Sequence, residues 1–557
     1  MPETLTEQLN WGLASHGVDL YIDTAHYPAG LAAVDVETDE QDHFVGLALT
    51  DGPAVYYYTK LTDELKRMLE DIDLIGHNIK SDAKWLRQWG VNLNLDDLVY
   101  DTMLASYVQD STKQGHGLKD LTKEVLNWEY PSYKDMVGTG KSKQTLDKQP
   151  VEKVANYCGM DALSTFKLYQ YFTKVLTKEQ DRYLRDIEMP VMRVLTLMEE
   201  QGVMLDAGYL TTLDSRFNME VRHLVERIKL LAPSIKNVNS DKQVGDFLVS
   251  KGITLPKTPK GKNSVSGKAL EPYQGIPFVK ALRRYSEMEK LVSTYTQPLL
   301  ERTNESNNRL YASFNQAITH TGRLSSSGPN LQNIPTRTNT GNLLRGVFIA
   351  SSEHIFIDAD YSQIEPRLFA HFSQDPELLK IFNSGLDLYD YVAESIGSTR
   401  SVAKTVWLAL SYNAGAFKIG QTAHIATYTA QEFIDKMRQK FGVAFAWKEK
   451  VIRDTDSNKY IETLLGRRIK LIEPGLGPNY TVQGSAAEIM KLAIIKTQDF
   501  NPVLTVHDEL LFEIDYFAEF PYSSVDSIKT RMESVYQLRV PLIAEVGVGR
   551  TWSEAKQ

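Results

Sequence analysis

The sequence has one cysteine, Cys158, in 557 residues. That excludes an intrachain disulfide framework and any multi-cysteine zinc site, and a reducing, intracellular setting fits best. No apolar run approaches the length needed to span a bilayer. The opening stretch MPETLTEQLNWGLASHG carries acids and lacks an apolar core segment, so it does not read as a secretory signal. Internal repeats and low-complexity tracts are absent. Basic charge is in deficit: 62 Lys and Arg face 71 Asp and Glu, a net charge of -9. Taken alone, that sum argues weakly against nucleic-acid binding.

What is present is a long chain of ordinary globular composition, 42% hydrophobic and 24% charged. It exceeds what one core usually organises, so at least two domains are expected. The charge is unevenly spread. Residues 251–290 hold nine Lys and Arg against three Glu, a local +6. That stretch could track a phosphate backbone or be a solvated loop. Residues 19–58 read as short strands, and helical patterns come next at 61–71, 82–89, 101–109 and 151–177, an α/β domain ending near 180. The Gly- and Lys-rich stretch 137–150 should be an exposed loop. Long helices are expected over 181–232 and again near 278–302. After 310 come a strand at 354–359, helical patterns at 363–442, a strand-like YIETLL and a hairpin at 503–514.

Two constellations of acids stand out. In AAVDVETD the alternation of a strand puts Asp35 and Glu37 on one face. Asp82 lies just ahead of a helical pattern, and Tyr157 and Asp161 are four apart on one helix face. Each acid alone reads as a surface carboxylate. Together they would suit two divalent cations, hard ions that prefer carboxylate oxygens. Two such ions roughly 4 Å apart can ionise a water and stabilise a leaving phosphodiester oxygen, and Tyr157 could orient that water.

The second constellation joins a strand end to a hairpin tip. HIFIDADY is an apolar strand ending at Asp358-Ala359-Asp360, and His507-Asp508-Glu509 sits at a turn between apolar runs. Acids so placed can meet across a shared sheet, where a cation pair would bind a triphosphate and a primer hydroxyl. Standing alone, the turn is a polar hairpin loop. Ser362 and Glu365 also fit a capping box, with Ser362 as N-cap and Pro366 as fourth helical residue. Between the acids lies RSVAKTVWLALSYNAG. On a helix its Arg400, Lys404, Leu408 and Tyr412 drift only about 40° per step and form one stripe. The bland reading is a basic face snorkelling over a core.

The pattern D-x-E, N-x-x-x-D, Y-x-x-x-D, with YDTMLASYV at 100–108, resembles the tyrosine form of DEDD-family 3′–5′ exonucleases. DYSQIE, VHDEL, TGRLSSSGPNLQNIP (321–335), TLLGRR (463–468), VQGSAAEIMK (482–491) and VPLIAEVGVGRTW (540–552) resemble family A DNA polymerases of the bacterial DNA polymerase I type. IEMPVMRVLTLMEEQGVMLD (187–206), LPKTPKGKNSVSGKAL (255–270) and KLVSTY (290–295) are similar to that family's thumb.

The resemblance implies a multidomain α/β chain. A ribonuclease H-like exonuclease domain (1–180) would precede a right-hand polymerase domain (181–557), with thumb about 188–310, palm about 311–385 and 460–557, and fingers about 386–459. It implies template-directed DNA synthesis with proofreading, using two Mg²⁺ per site, with Mn²⁺ able to substitute. Asp35, Glu37, Asp82 and Asp161 would hold metals for the exonuclease, and Asp360 and Asp508 for the polymerase, helped by the Tyr361 carbonyl. Glu509 would lie beside the primer terminus. Glu365 would be the steric gate against a ribose 2′-hydroxyl. Gln363, Tyr389, Arg400, Lys404, Leu408 and Tyr412 would face the nucleotide, and Arg323, Gln332, Arg345, Gln483 and His507 the DNA. Partners would be primer-template DNA, dNTPs and processivity or replisome factors. The family's 5′-nuclease domain has no counterpart here, a form common in bacteriophages. A cytoplasmic monomer in a bacterial host is the corresponding expectation.

The chain departs from the family pattern at Leu408 (usually Phe or Tyr), Asn413 (usually Gly), Tyr389 (usually a phosphate-contacting His) and Pro366 (usually aliphatic). The segment 471–479 is also short. None of these removes a metal ligand, and all bear on nucleotide selection or duplex grip. There are three rivals: a nuclease with a degenerate polymerase half, a non-catalytic DNA-binding scaffold, and an RNA-synthesising relative, which Glu365 and the complete exonuclease disfavour.

Overall fold

Six short strands order themselves β1-β4-β3-β2-β5-β6, and this sheet carries the first acidic constellation. The computed structural model describes residues 11–139, 143–305, 307–335, 339–471, 473–517 and 521–556. The first ten residues and part of the 137–150 loop therefore lie outside the described residues. The strands are β1 (Asp19–Ile22), β2 (Leu31–Thr38), β3 (Phe44–Thr50), β4 (Ala54–Tyr58), β5 (Asp73–Gly76) and β6 (Leu98–Asp101). β3 runs antiparallel to β2 and β4, whereas β2–β5, β5–β6 and β1–β4 are parallel. The parallel pairs β2–β5 and β5–β6 are reached by crossovers that contain Asp63–Glu70 and Ile79–Gln88, and Thr102–Gln109 follows β6. The helix Val151–Val175 packs on β2 and β3 and is buried without a break from Val154 to Phe166. Sequence periodicity did not reveal β5 and β6. Both are buried on both faces, so their residues, DLIG and LVYD, show no alternation of apolar and polar.

Beyond this sheet come the long helices Met189–Gln201, Ala207–Leu231 and Pro277–Leu291, the last two packed together. The expected all-helical run at 181–232 is interrupted by a strand, Val203–Leu205, which pairs with Arg309–Leu310 and Phe348–Ile349. The first hydrophobic core extends past residue 180 to Met192. Ion pairs buried from solvent join the two halves. Lys491 Nζ lies 2.5 Å from Glu188 Oε1, and Lys80 pairs with Glu199.

A second sheet holds the later acids. Its order is Pro502–Val506, Glu509–Asp515, His354–Tyr361, Ala544–Gly549, all antiparallel. The register places Asp360 directly opposite Glu509. Five helices lie between Leu388 and Asn458, and Gly477–Lys496, buried along most of its length, packs on the helices Ile364–Ser373 and Met189–Gln201.

Candidate active sites

β2 sets the first site. Alternation carries Asp35 and Glu37 to the face against Val151–Val175, and that helix adds Cys158. Ligand atoms of Asp35, Glu37 and Cys158 lie within 4.8 Å of one another. The Cys158 thiol donates to the Asp35 carbonyl at 3.3 Å. Burial, then the Asp161 charge, pushes the Asp35 carboxyl up to about 8. Burial and neighbouring acids also raise Glu37 and Asp82 well above the ordinary carboxylate range. Glu37 feels the charges of Asp35, Asp161 and Asp82, and Asp82 feels that of Asp35. Asp82 is not ahead of its helix but in its first turn, since the helix starts at Ile79. Asp101 fixes that start: its carboxylate accepts the N–H of Ile79 at 2.9 Å and caps the next helix through Met103 N–H at 2.8 Å. The YDTMLASYV stretch therefore contributes a brace.

The cation at this site is Lys119. It pairs with Asp161 and lies 3.7 Å from the Tyr130 ring centre and 4.4 Å from that of Tyr157. The Tyr130 hydroxyl donates to Asp161 Oδ1 at 2.6 Å. Sequence patterns did not flag Lys119, Tyr130 or Cys158, none of which has a local signature. Burial raises the Tyr157 phenol, so it stays a proton donor.

At the second site Asp358 and Asp360 share one face of their strand, the same i, i+2 signal that flagged Asp35 and Glu37. Asp358 is buried and pushed up to about 9 by burial and the Glu509 charge. Burial raises Asp360 and lifts Asp508 to about 7. Glu509 is held by contacts within the protein. Its Oε1 accepts the Trp552 indole N–H at 2.5 Å, and its Oε2 accepts Lys556 Nζ at 2.7 Å. Burial works to raise it, but Asp358, Lys556 and Arg345 outweigh that and hold it low. Both of its oxygens are committed to the protein. Arg345, expected at the DNA, is buried instead, 4.4 Å from the Trp552 ring centre and 3.7 Å from Glu509 Oε2. Tyr361 also turns inward: its hydroxyl donates to the Met532 carbonyl, and its N–H to the Asp508 carbonyl at 3.0 Å.

The capping box at Ser362 does not form. The helix begins at Ile364 with Gln363 as N-cap in the left-handed region, φ 53°, and no side chain caps it. The Ser362 N–H goes to the Ile543 carbonyl, and the Glu365 carboxylate goes to Arg323 and Tyr412. Pro366 is accordingly third in the helix, not fourth. The first intrahelical bond is made by Arg367 N–H, so the proline removes none.

Arg400, Lys404 and Leu408 lie on the helix Arg400–Ser411, and Tyr412 is its C-cap residue. Arg400 binds Asp387 Oδ2 at 2.8 Å, an oxygen shared with Gln363 Nε2 at 3.0 Å. Arg400 and Lys404 lie 5.5 and 5.4 Å from the ring centre of Tyr389, which is buried. Leu408 lines an open pocket of about 300 Å³ with Glu365, Phe369, Trp407 and Tyr412. Asn413, in place of glycine, has φ 64°, a left-handed conformation that Asn tolerates. Its side chain donates to the Gly475 carbonyl at 3.2 Å. Arg323, Gln332, His507 and Asp508 share a second pocket of about 380 Å³, and Gln483 donates to the Tyr412 hydroxyl at 3.4 Å.

Hard divalent cations favour carboxylate oxygens; among the described residues the ligand atoms that gather are those of Asp35 and Glu37 with the Cys158 thiol, and Asp82 and Asp161 stand outside that group. Asp35 Oδ2 and Asp358 Oδ1 are buried without a hydrogen-bond partner among the described residues. No described helix is long and apolar enough to cross a membrane.

A 3′–5′ exonuclease family model matches residues 26–177, and the model of DNA polymerase family A matches 207–554. DNA polymerase I of Pseudomonas aeruginosa is 32% identical over 95% of this chain and 64% of its own length. The thermostable DNA polymerase I of Thermus filiformis is 36% identical over 71% of this chain and 51% of its own. The chain thus spans half to two thirds of these relatives. The solved polymerase domain of Pol1 from M. smegmatis, in complex with DNA primer-template and dNTP, covers 98% of this chain and 99% of its own. Its TM-score is 0.83 at 27% identity. With a 3′–5′ exonuclease domain ahead of the polymerase fold, the chain belongs to DNA polymerase family A.

Proposed function

We propose that this chain extends a DNA primer on a template from dNTPs and removes misplaced 3′ nucleotides at a separate acidic site. The carrying observation is two distinct carboxylate clusters, one centred on β2 and one on the strand His354–Tyr361, with a helix that carries Arg400 and Lys404 and ends at Tyr412, whose hydroxyl meets Glu365. Asp35, Glu37, Asp82 and Asp161 would hold divalent cations at the exonuclease site, and Asp360 and Asp508 at the polymerase site, two Mg²⁺ per site with Mn²⁺ able to substitute. Bound there, such ions supply nucleophile activation and leaving-group stabilisation.

The chain's own residues do the rest. Arg400 and Lys404 spread triphosphate charge. Glu365, held between Arg323 and Tyr412, crowds a ribose 2′-hydroxyl. Arg323, Gln332, Gln483 and His507 grip the duplex without reading sequence. At the exonuclease site Tyr157 orients water. The long helices after Met189 form the thumb, the second sheet the palm, and the helices between Leu388 and Asn458 the fingers. The chain serves phage replication in a bacterial cytoplasm, as a monomer assisted by replisome factors.

Primer extension with Mg²⁺ and dNTPs tests this function. Asp360→Ala should abolish synthesis and spare digestion of single strands, and Asp35→Ala should do the reverse. Synthesis that survives Asp360→Ala sinks the assignment.

A further inference from the structure

We propose that Lys556 is a positioning residue of the polymerase site, a resident cation that competes with divalent ions for Asp360 and reserves Glu509 for itself. The inference rests on the reading that Asp360 and Asp508 hold those ions.

Three carboxylates from two strands converge on this one ammonium. Lys556 Nζ lies 2.7 Å from Asp360 Oδ2, 2.7 Å from Glu509 Oε2 and 3.5 Å from Asp358 Oδ2. The side chain is about a quarter exposed, 26%, so the contact is reachable from solvent yet mostly sheltered from it.

Its backbone is well anchored. The helix Trp552–Ala555 starts from a capping box in which Thr551 and Glu554 satisfy each other's backbone. Trp552 is fully buried, edge-on to Phe348 with ring centres 5.4 Å apart, and donates to Glu509. Lys556 N–H closes the helix on the Trp552 carbonyl at 3.2 Å. A fixed backbone with a flexible four-carbon stem can present the ammonium or withdraw it.

Charge governs the exchange. Asp358, Asp360, Asp508 and Glu509 gather within one site, and buried like charges repel strongly. Lys556 relieves that repulsion when no divalent ion is bound. A divalent ion taking Asp360 Oδ2 meets the ammonium on the same oxygen and must displace it. Glu509 and Asp358 still retain the lysine, because Trp552 and Arg345 already fix Glu509 in place. The four acids therefore divide into two that meet metal and two that keep the lysine.

Divalent-ion binding tests this without turnover. Mn²⁺ is titrated by electron paramagnetic resonance against the full chain without DNA, with the exonuclease site silenced by Asp35→Ala and Glu37→Ala. Removing a unit charge that competes for the same oxygen should tighten Mn²⁺ binding about ten-fold in Lys556→Met. Lys556→Arg keeps the charge and should stay close to the parent. In EDTA the Lys556→Met protein should melt earlier than the parent and gain more from added Mn²⁺. Unchanged or weaker Mn²⁺ binding in Lys556→Met overturns the proposal. If that variant fails to fold, Lys556→Gln carries the same comparison. Asp360→Ala separates the two levels. If it leaves Mn²⁺ binding intact, the metal reading itself has failed. If it removes the site while Lys556→Met changes nothing, only the role of Lys556 has failed.

Discussion

The Tyr412 hydroxyl donates to Glu365 Oε2 at 2.6 Å, joining residues 47 apart in sequence. Arg323 holds the other oxygen at 2.5 Å, so the carboxylate is clamped from both sides. If Glu365 is the gate against ribose, its aim depends on this clamp. Tyr412→Phe should lower the dNTP-over-rNTP ratio of kcat/KM by about ten-fold, the equivalent of one lost hydrogen bond to a charged group. Single-nucleotide incorporation kinetics measure it. An unchanged ratio would mean that Arg323 alone sets the gate.

Leu408 faces the pocket that holds Glu365 and Tyr412. An aliphatic side chain there leaves space that a ring would fill. Leu408→Phe or Leu408→Tyr should keep dNTP incorporation and shift discrimination against dideoxynucleotides. If neither variant shifts it, position 408 does not meet the sugar.

Lys491 and Glu188 form a pair with side chains 1% and 0% exposed. Burial drives the Lys491 ammonium down, and the Glu188 charge opposes that shift. Lys491→Met strands a buried carboxylate and should cost about 3–5 kcal/mol. Glu188→Leu with Lys491→Met should recover most of it. Urea midpoints by circular dichroism check both, and a single variant as stable as the parent would show that the pair does not hold the two halves together.

Asp35 and Asp358 are pushed up to about 8 and about 9, mainly by burial, from 3.8. Between those values the unfolded chain has lost protons that the folded chain keeps. Metal-free stability therefore falls as pH rises, by about 1.4 kcal/mol per pH unit for each such acid. His77 and His116 act in the opposite direction. Burial lowers them to about 3 and about 4, so stability also falls as pH drops below about 6.5. Mg²⁺ binds the ionised carboxylates and should raise the melting temperature more at pH 8 than at pH 5. Equal shifts at both would show that these acids do not hold the ion.

The sequence by itself placed the acids, because alternation is a property of the strand. Asp35 with Glu37 and Asp358 with Asp360 each share a face whatever surrounds them. The cation stripe was legible for the same reason, up to the residue where its helix ends. The strand β5 was not legible, since it is buried on both faces and its residues do not alternate. The capping box failed because a tertiary bond to the Ile543 carbonyl took the Ser362 N–H, and Arg323 and Tyr412 took Glu365. Asn413 looked like a departure in sequence but keeps the left-handed turn in space. Only the fold decided which charges neutralise the acids. Lys119 meets Asp161 across 42 residues and Lys556 meets Asp360 across 196. Such pairings depend on packing between distant elements, and no local pattern encodes them.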